Sequence, residues 1–212
     1  MGFLDYLVGH RAEVLQRSWE HFWLVGVSTG LAVGIGVPVG ILLTRRAPLR
    51  GPVLGGVNVL QTIPSLALLG FLIPVPWLGG IGARPAIVAL VAYALLPIIR
   101  NTYEGIRTID PAVREAGRAM GMTDGQLLRR VELPLALGVM MGGVRVATVI
   151  GIGVTTIAAA IGAGGLGVFI FQGLSMVDGD VILTGAVPAA VLALLADFGL
   201  GRLERRLSRW RA

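Results

Sequence analysis

The chain has 212 residues, 55% of them hydrophobic and only 14% charged, with a mean hydropathy of +0.81. A soluble globular domain carries about 25% charged residues, so this balance excludes an ordinary soluble enzyme and indicates a polytopic membrane protein. There is no cysteine, which excludes disulfides, thiol catalysis and Cys-based metal sites, and the net charge of +6 comes from arginine alone because lysine is absent.

Residues 1–21 contain Asp5, Arg11, Glu13, Arg17 and Glu20. They hold no apolar run of the kind a cleavable signal needs. Leu4, Leu7, Val8, Val14 and Leu15 have the spacing of a short amphipathic helix on a membrane surface, a separate N-terminal interfacial segment. Trp19, Phe22 and Trp23 form an interfacial aromatic anchor. His10 and His21 lack ligand-like spacing and are expected at the surface.

The first charge-free run covers 22–44 and is long enough to cross a hydrocarbon core of about 30 Å. Gly26, Gly30 and Gly34, then Gly36 and Gly40, repeat a small-xxx-small spacing that predicts close helix packing. After Arg45, Arg46 and Arg50, an uncharged stretch over 51–83 is too long for one span. Pro74, Pro76 and the glycines at 79–80 interrupt it, which predicts a helix at about 53–73 and a loop at about 74–84. Within it, Gln61, Thr62 and Ser65 surround Pro64. They satisfy a proline-kinked helix, or they line a translocation path.

A third span is expected at about 85–99, a fourth at about 137–159 and a fifth at about 181–201, joined by a Gly-rich connection over 160–180. Thr155 and Thr156 in the fourth face a pathway or bond their own helix. GAGGLG at 162–167 has no strand–turn–helix setting and no acidic residue at the distance a dinucleotide site requires, so a tight turn is expected there. Arg145 lies inside the fourth span, with Asp197 as its expected partner.

Five spans place the termini on opposite sides. Arg45, Arg46, Arg50, Arg100, Arg107, Arg114, Arg118, Arg129, Arg130 and the five arginines of the tail at 202–212 collect on one side, against Arg11, Arg17 and Arg84 on the other. The positive-inside rule therefore predicts an external N-terminus and a cytoplasmic C-terminus. The arginine excess is a topology signal, and no nucleic-acid partner is expected.

Between the third and fourth spans, residues 114–134 read REAGRAMGMTDGQLLRRVELP. Arg and Asp at bilayer depth cost about 3 kcal/mol each, so this stretch must project into water. Asp110 is a good N-cap with Pro111 in the first helical position, and Gly121 suits a left-handed helix end. Thr123 and Gln126 make a capping box for a second helix, expected to end before Pro134. The result is a helical hairpin, at about 110–134, with the regularity of a docking element.

Glu115, Ala116 and Gly117, then Gly121, then Val131, Leu133 and Pro134 resemble the EAA motif of type I ABC importer permeases at every spacing. Gly117 replaces the motif's second alanine and Val131 its isoleucine. QTIPSLALLG at 61–70 and the glycine-rich stretch at 148–167 resemble the osmoprotectant permeases for glycine betaine, carnitine and choline. The resemblance implies an all-α fold of the type I importer class, with a transmembrane domain over 22–201. It implies a transport subunit and not an enzyme. The hairpin would dock on cytoplasmic ATPase subunits, which use ATP, while this chain binds no cofactor or metal. It also implies an external substrate-binding protein, a second permease subunit (identical or paralogous) and a location in the bacterial inner membrane. Methionine or another amino acid as cargo, and a non-transporting membrane scaffold, are the competing readings.

Overall fold

The computed structural model describes residues 2–78 and 80–208, and is helical throughout its regular elements. Arg209 and Arg211 of the basic tail, like Gly79 of the first loop, lie outside the described residues. The helices are α1 (Phe3–Gly9), α2 (Arg11–Arg45), α3 (Ala47–Thr62), α4 (Ser65–Leu72), α5 (Ala83–Arg107), α6 (Pro111–Ala119), α7 (Asp124–Leu127), α8 (Leu133–Ala158), α9 (Gly167–Met176) and α10 (Gly179–Ser208). Among the described residues four helical stretches are long and apolar enough to cross a bilayer: Arg11–Arg45, Ala83–Arg107, Asp124–Ile161 and Gly179–Ser208. The pair α3 and α4, bent by 98°, would make a fifth crossing.

Three of these helices form the centre. In lipid, helices gain little from hydrophobic association, so close packing depends on small residues at the contacts. A Cβ added at Gly40 of α2 would lie 2.6 Å from the Cβ of Thr102 on α5. One added at Gly143 of α8 would lie 2.6 Å from the carbonyl oxygen of Pro97, also on α5. α5 is thus clasped by both helices on adjoining faces, and half of its most apolar stretch is buried within this one chain.

The glycine stripe of α2 divides in two. Gly36 and Gly40 meet α5, but Gly26, Gly30 and Gly34 have no atom within 4 Å of the position a Cβ would take. The expected packing at those three does not occur inside the chain. From Gly34 to Gly36 the helix turns by about 200°, so the two sets face opposite directions.

The N-terminal segment also differs from expectation. After a short α1, the chain continues as one helix from Arg11 to Arg45, without a boundary near residue 21. That continuity carries His21 into the core, where it is fully buried and its Nε2 lies 3.1 Å from the carbonyl oxygen of Ile152 on α8. Trp19, Phe22 and Trp23 occupy the other face and remain exposed.

The expected single helix over 53–73 is broken at Ile63–Pro64. Ile63 takes an extended conformation, as the residue ahead of a proline prefers. The break frees backbone groups that lipid cannot satisfy. Tyr93 of α5 closes it from the side: its hydroxyl donates to the Ile63 carbonyl, while Gln61 Nε2 donates to the Tyr93 carbonyl at 2.7 Å.

The connection over 160–180 is ordered. Gly162, Gly164 and Gly165 have φ of +76°, +84° and +78°, and Gly165 N–H donates to Glu20 at 3.0 Å. Gly82 N–H donates to the Ile161 carbonyl at 2.8 Å, which ties the 73–82 loop to the same turn. α9 follows, and then α10. Arg145 of α8 spans to α10, with Nε 2.6 Å and Nη2 3.1 Å from the two oxygens of the expected partner Asp197. Glu204 is a second partner at 3.1 Å.

Tyr93→Phe removes the hydroxyl that closes the α3–α4 break and leaves a carbonyl unsatisfied, at a cost of about 1–3 kcal/mol. Thermal melting of the purified protein in detergent is expected to fall by a few degrees; unchanged melting would show that the hydroxyl does not hold the break.

Candidate functional site

The hairpin between α5 and α8 is assembled from local sequence. Asp110 Oδ1 accepts from the Ala112 N–H at 2.9 Å, with Pro111 in the first turn of α6. α6 ends in a Schellman arrangement: Gly121 N–H bonds the Arg118 carbonyl at 2.9 Å and Met122 N–H bonds the Gly117 carbonyl at 3.2 Å. Gly121 has a φ of +78°, a value that side-chain-bearing residues rarely adopt. Thr123 Oγ1 accepts from Gln126 N–H at 3.4 Å, and Gln126 Oε1 accepts from Thr123 N–H at 2.9 Å, so α7 begins with a complete capping box.

Gly117 is buried beneath Leu127, and an added Cβ would stand 2.7 Å from the Leu127 Cδ1. This contact closes α6 onto α7. Glu115 and Ala116 are exposed on α6, as are Val113 and Met120, the last 71% exposed. A water-facing helix that displays a methionine, a valine and a carboxylate has the composition of a contact surface.

The second helix does not end before Pro134. The chain continues from α7 through a π-helical turn, Leu128–Glu132, straight into α8. Leu133 N–H bonds back to the Leu128 carbonyl, five residues earlier. A wider turn makes room for a proline that has no N–H to give and whose ring crowds the preceding turn. Val131, Leu133 and Pro134 are all half-buried on this continuous rod.

The π turn also presents a residue that spacing alone did not single out. Glu132 is completely buried, and its two oxygens meet guanidiniums from distant parts of the chain. Arg114 of α6 pairs with one oxygen at 3.0 Å, and Arg45, at the end of α2, donates to the other. Arg114 further donates to the Ile106 carbonyl near the end of α5. Stripping such a buried carboxylate of both its cations typically costs about 3–5 kcal/mol, because the charge left behind has no solvent. A cavity of about 390 Å³ lies alongside, lined by Arg50, Tyr103, Arg107 and Arg118 as well as the clamp residues. The signal in the sequence was an acidic residue inside an arginine-rich stretch next to an apolar span.

No hydrogen bond joins the candidate pathway residues to one another among the described residues. Gln61 is engaged with Tyr93 as described, Thr62 Oγ1 donates to the Val59 carbonyl at 2.7 Å on the exposed side of α3, and Ser65 is half-buried in the first turn of α4. Thr155 is fully buried and donates to the Gly151 carbonyl at 2.7 Å; Thr156, half-buried, donates to the Gly153 carbonyl at 2.7 Å. Both threonine hydroxyls therefore serve their own helix. No cluster of three or more His, Asp or Glu side chains suited to a metal ion is present among the described residues.

Residues 36–209 match the family described as the binding-protein-dependent transport system inner membrane component. Over 200 residues the chain is 48% identical to the carnitine transport permease protein OpuCB of Listeria monocytogenes, covering 94% of this chain and 89% of that protein. It is 45% identical to the osmoprotectant import permease protein OsmW of Salmonella typhimurium, with 96% of each covered. Identity reaches 50% with the glycine betaine/carnitine/choline transport system permease protein OpuCD of Bacillus subtilis, over 92% of this chain and 84% of that one. Among solved structures, an inward-facing form of the MetNI methionine ABC transporter superposes with a TM-score of 0.84 at 30% identity, covering 94% of this chain and 98% of that chain.

Gly121→Val forces a β-branched residue into the left-handed region, at about 1–2 kcal/mol. Hydrogen exchange of the Gly121 and Met122 amides is expected to speed up by about tenfold. Gly125→Ala, in open space on α7, should leave exchange unchanged. Equal protection in both variants would exclude a strained turn at 121.

Proposed function

The chain belongs to the inner-membrane components of binding-protein-dependent transport systems, and from that premise we propose that it conducts a quaternary-amine osmoprotectant: glycine betaine, carnitine or choline. It is the permease subunit of an ABC importer and not itself an enzyme. The single observation that carries the cargo is that relatives sharing 42–50% identity over nearly the whole chain are named for carnitine, choline, glycine betaine or osmoprotectants. The methionine transporter, the alternative cargo class, stands at 30–32%.

In this reading the hairpin lies in the cytoplasm. The ends of α2, α5 and α10 and the start of α8 collect at one pole with most of the arginines, while Arg11, Arg17 and Arg84 mark the other. By the positive-inside rule the N-terminus is external, and the C-terminus and hairpin are internal. Residues 22–201 make the transmembrane unit, 1–21 its outer lead-in and 202–212 its basic tail.

Glu115, Ala116, Gly117, Gly121, Val131, Leu133 and Pro134 form the coupling element, of which Glu115 and Ala116 touch an ATPase subunit. That subunit uses the ATP. A substrate-binding protein docks at the outer pole, near 74–84 and 160–180, where Trp77 and Val177 are 87% and 92% exposed. A second permease subunit, a copy or a paralogue, completes the path, to which Gln61, Thr62 and Ser65 on the broken α3–α4 pair contribute. Thr155 and Thr156 support its wall through their own helix.

A cysteine placed at Asp124 of the otherwise cysteine-free chain is expected to resist an impermeant maleimide in intact cells and to react in broken ones. Labelling in sealed cells would reverse the topology.

Selectivity is assigned to the binding protein, since a conduit that held cargo tightly would release it slowly. Proteoliposomes holding the permease, its ATPase and its binding protein should accumulate labelled glycine betaine, carnitine or choline, and excess methionine should not compete. The permease–ATPase complex alone should bind these cargoes too weakly for calorimetry. Methionine uptake would overturn the cargo assignment. Micromolar cargo binding lost in Gln61→Ala would place selectivity in the membrane instead.

A further inference from the structure

Glu132 joins three separate parts of the chain at one solvent-free carboxylate. Arg45 closes α2, Arg114 sits in the middle of α6, and Glu132 itself ends the π turn that leads into α8. We propose that Glu132 is a positioning residue for energy coupling: with Arg45 and Arg114 it forms an ionic clamp that passes displacement of the hairpin to α2 and α8 together. The inference rests on the reading that α6 docks on an ATPase.

Three observations carry it. First, α6 is two-sided. Ala116 and Met120 are exposed and Glu115 stands at the open rim of the cavity beside the clamp, while Arg114 and Gly117, three positions apart, look inward to the clamp and to Leu127. A push on the outer face therefore reaches the membrane helices through the inner one.

Second, α6 is separated from the α2–α3 turn and the end of α5 by the cavity of about 390 Å³. The clamp and the Arg114 bond to Ile106 bridge alongside that gap, where apolar packing is interrupted. The Gly117–Leu127 contact ties α6 to α7 but not to α2.

Third, stability alone does not call for charge here. A well-packed apolar set of the same volume typically holds helices as well as a buried ion cluster does. What an ionic clamp adds is direction and register. Arg45 donates a hydrogen bond to one Glu132 oxygen, and Arg114, ion-paired with the other, donates its own hydrogen bond to the Ile106 carbonyl, so the stand of α6 relative to α2 and α5 is fixed, whereas apolar surfaces slide.

Arg45 provides the sharpest test, because its loss cuts the α2 arm while Arg114 still neutralises Glu132. The whole transporter, with ATPase and binding protein, is reconstituted in proteoliposomes, and cargo uptake and ATP hydrolysis are measured together. In Arg45→Gln, complex assembly and basal hydrolysis should stay within twofold of wild type. Uptake should fall at least tenfold, and stimulation by the loaded binding protein should be lost, so fewer cargo molecules move per ATP. Glu132→Gln should show the same split, and Glu132→Asp, which keeps the charge, should recover at least a third of the uptake.

An unchanged ratio of cargo to ATP in Arg45→Gln would overturn the clamp. So would a parallel loss of assembly, basal hydrolysis and uptake, the signature of a purely structural role. If Glu132→Gln fails to fold, Arg45→Gln still decides. A wild-type complex whose hydrolysis ignored the loaded binding protein would instead overturn the docking reading, and the clamp with it.

Discussion

The clasp of α5 between α2 and α8 is the contact on which the rest of the molecule depends. In lipid it cannot be driven by removal of apolar surface from water, so it relies on backbones coming close. Gly40 and Gly143 bring α2 and α8 against neighbouring faces of α5, and Gly105 of α5 returns the favour near Ala136. The close fit sets the height at which α5 ends. Because α6 begins four residues after Arg107, the hairpin inherits its position from that end. Tyr93, on the same helix, closes the α3–α4 break, so the broken pair is also held in register by α5.

Two prolines with opposite outcomes show how context decides. Pro64 breaks its helix because Ile63 turns extended and the freed carbonyl has a nearby hydroxyl to accept from. Pro134 breaks nothing. The widened turn at Leu128–Glu132 absorbs the ring, and the rod runs on from the hairpin into the membrane. A proline in a sequence marks a missing N–H, but the neighbours that compensate are not encoded beside it. The continuity matters for function, since a rod transmits a rigid displacement and a hinge at Pro134 would absorb it.

The same division separates what could be read from the sequence from what could not. The hairpin was legible because each of its devices is local: Asp110 caps two residues on, Thr123 and Gln126 cap each other across three, and Gly121 needs only its own φ. The apolar runs and the Arg145–Asp197 pair were legible because lipid tolerates few charges, which leaves few partners to choose from. His21, Glu132 and the outward glycines of α2 were not. His21 meets a residue 131 positions away and Glu132 one 87 positions away. Nothing within a helix turn of either records those meetings. The pathway residues were legible only as a list of polar groups, and the threonines among them spend their hydroxyls on their own helix.

The two ion clusters complete the argument. Glu132 is one anion between two cations, and Arg145 is one cation between two anions, Asp197 and Glu204. Both are centred on the rod that begins at α7. Thirteen residues separate them, about 20 Å along the axis. The first cluster ties the rod to α6 and α2, and the second ties it to α10. A charge placed inside a membrane protein must find partners or leave, and here every partner lies on a helix other than the rod. The rod is therefore fastened ionically at two heights, to different neighbours, while glycines fasten it sterically to α5. A displacement entering at α6 meets directional contacts to α2 at one height and to α10 at the next, and the apolar surfaces between them are free to repack.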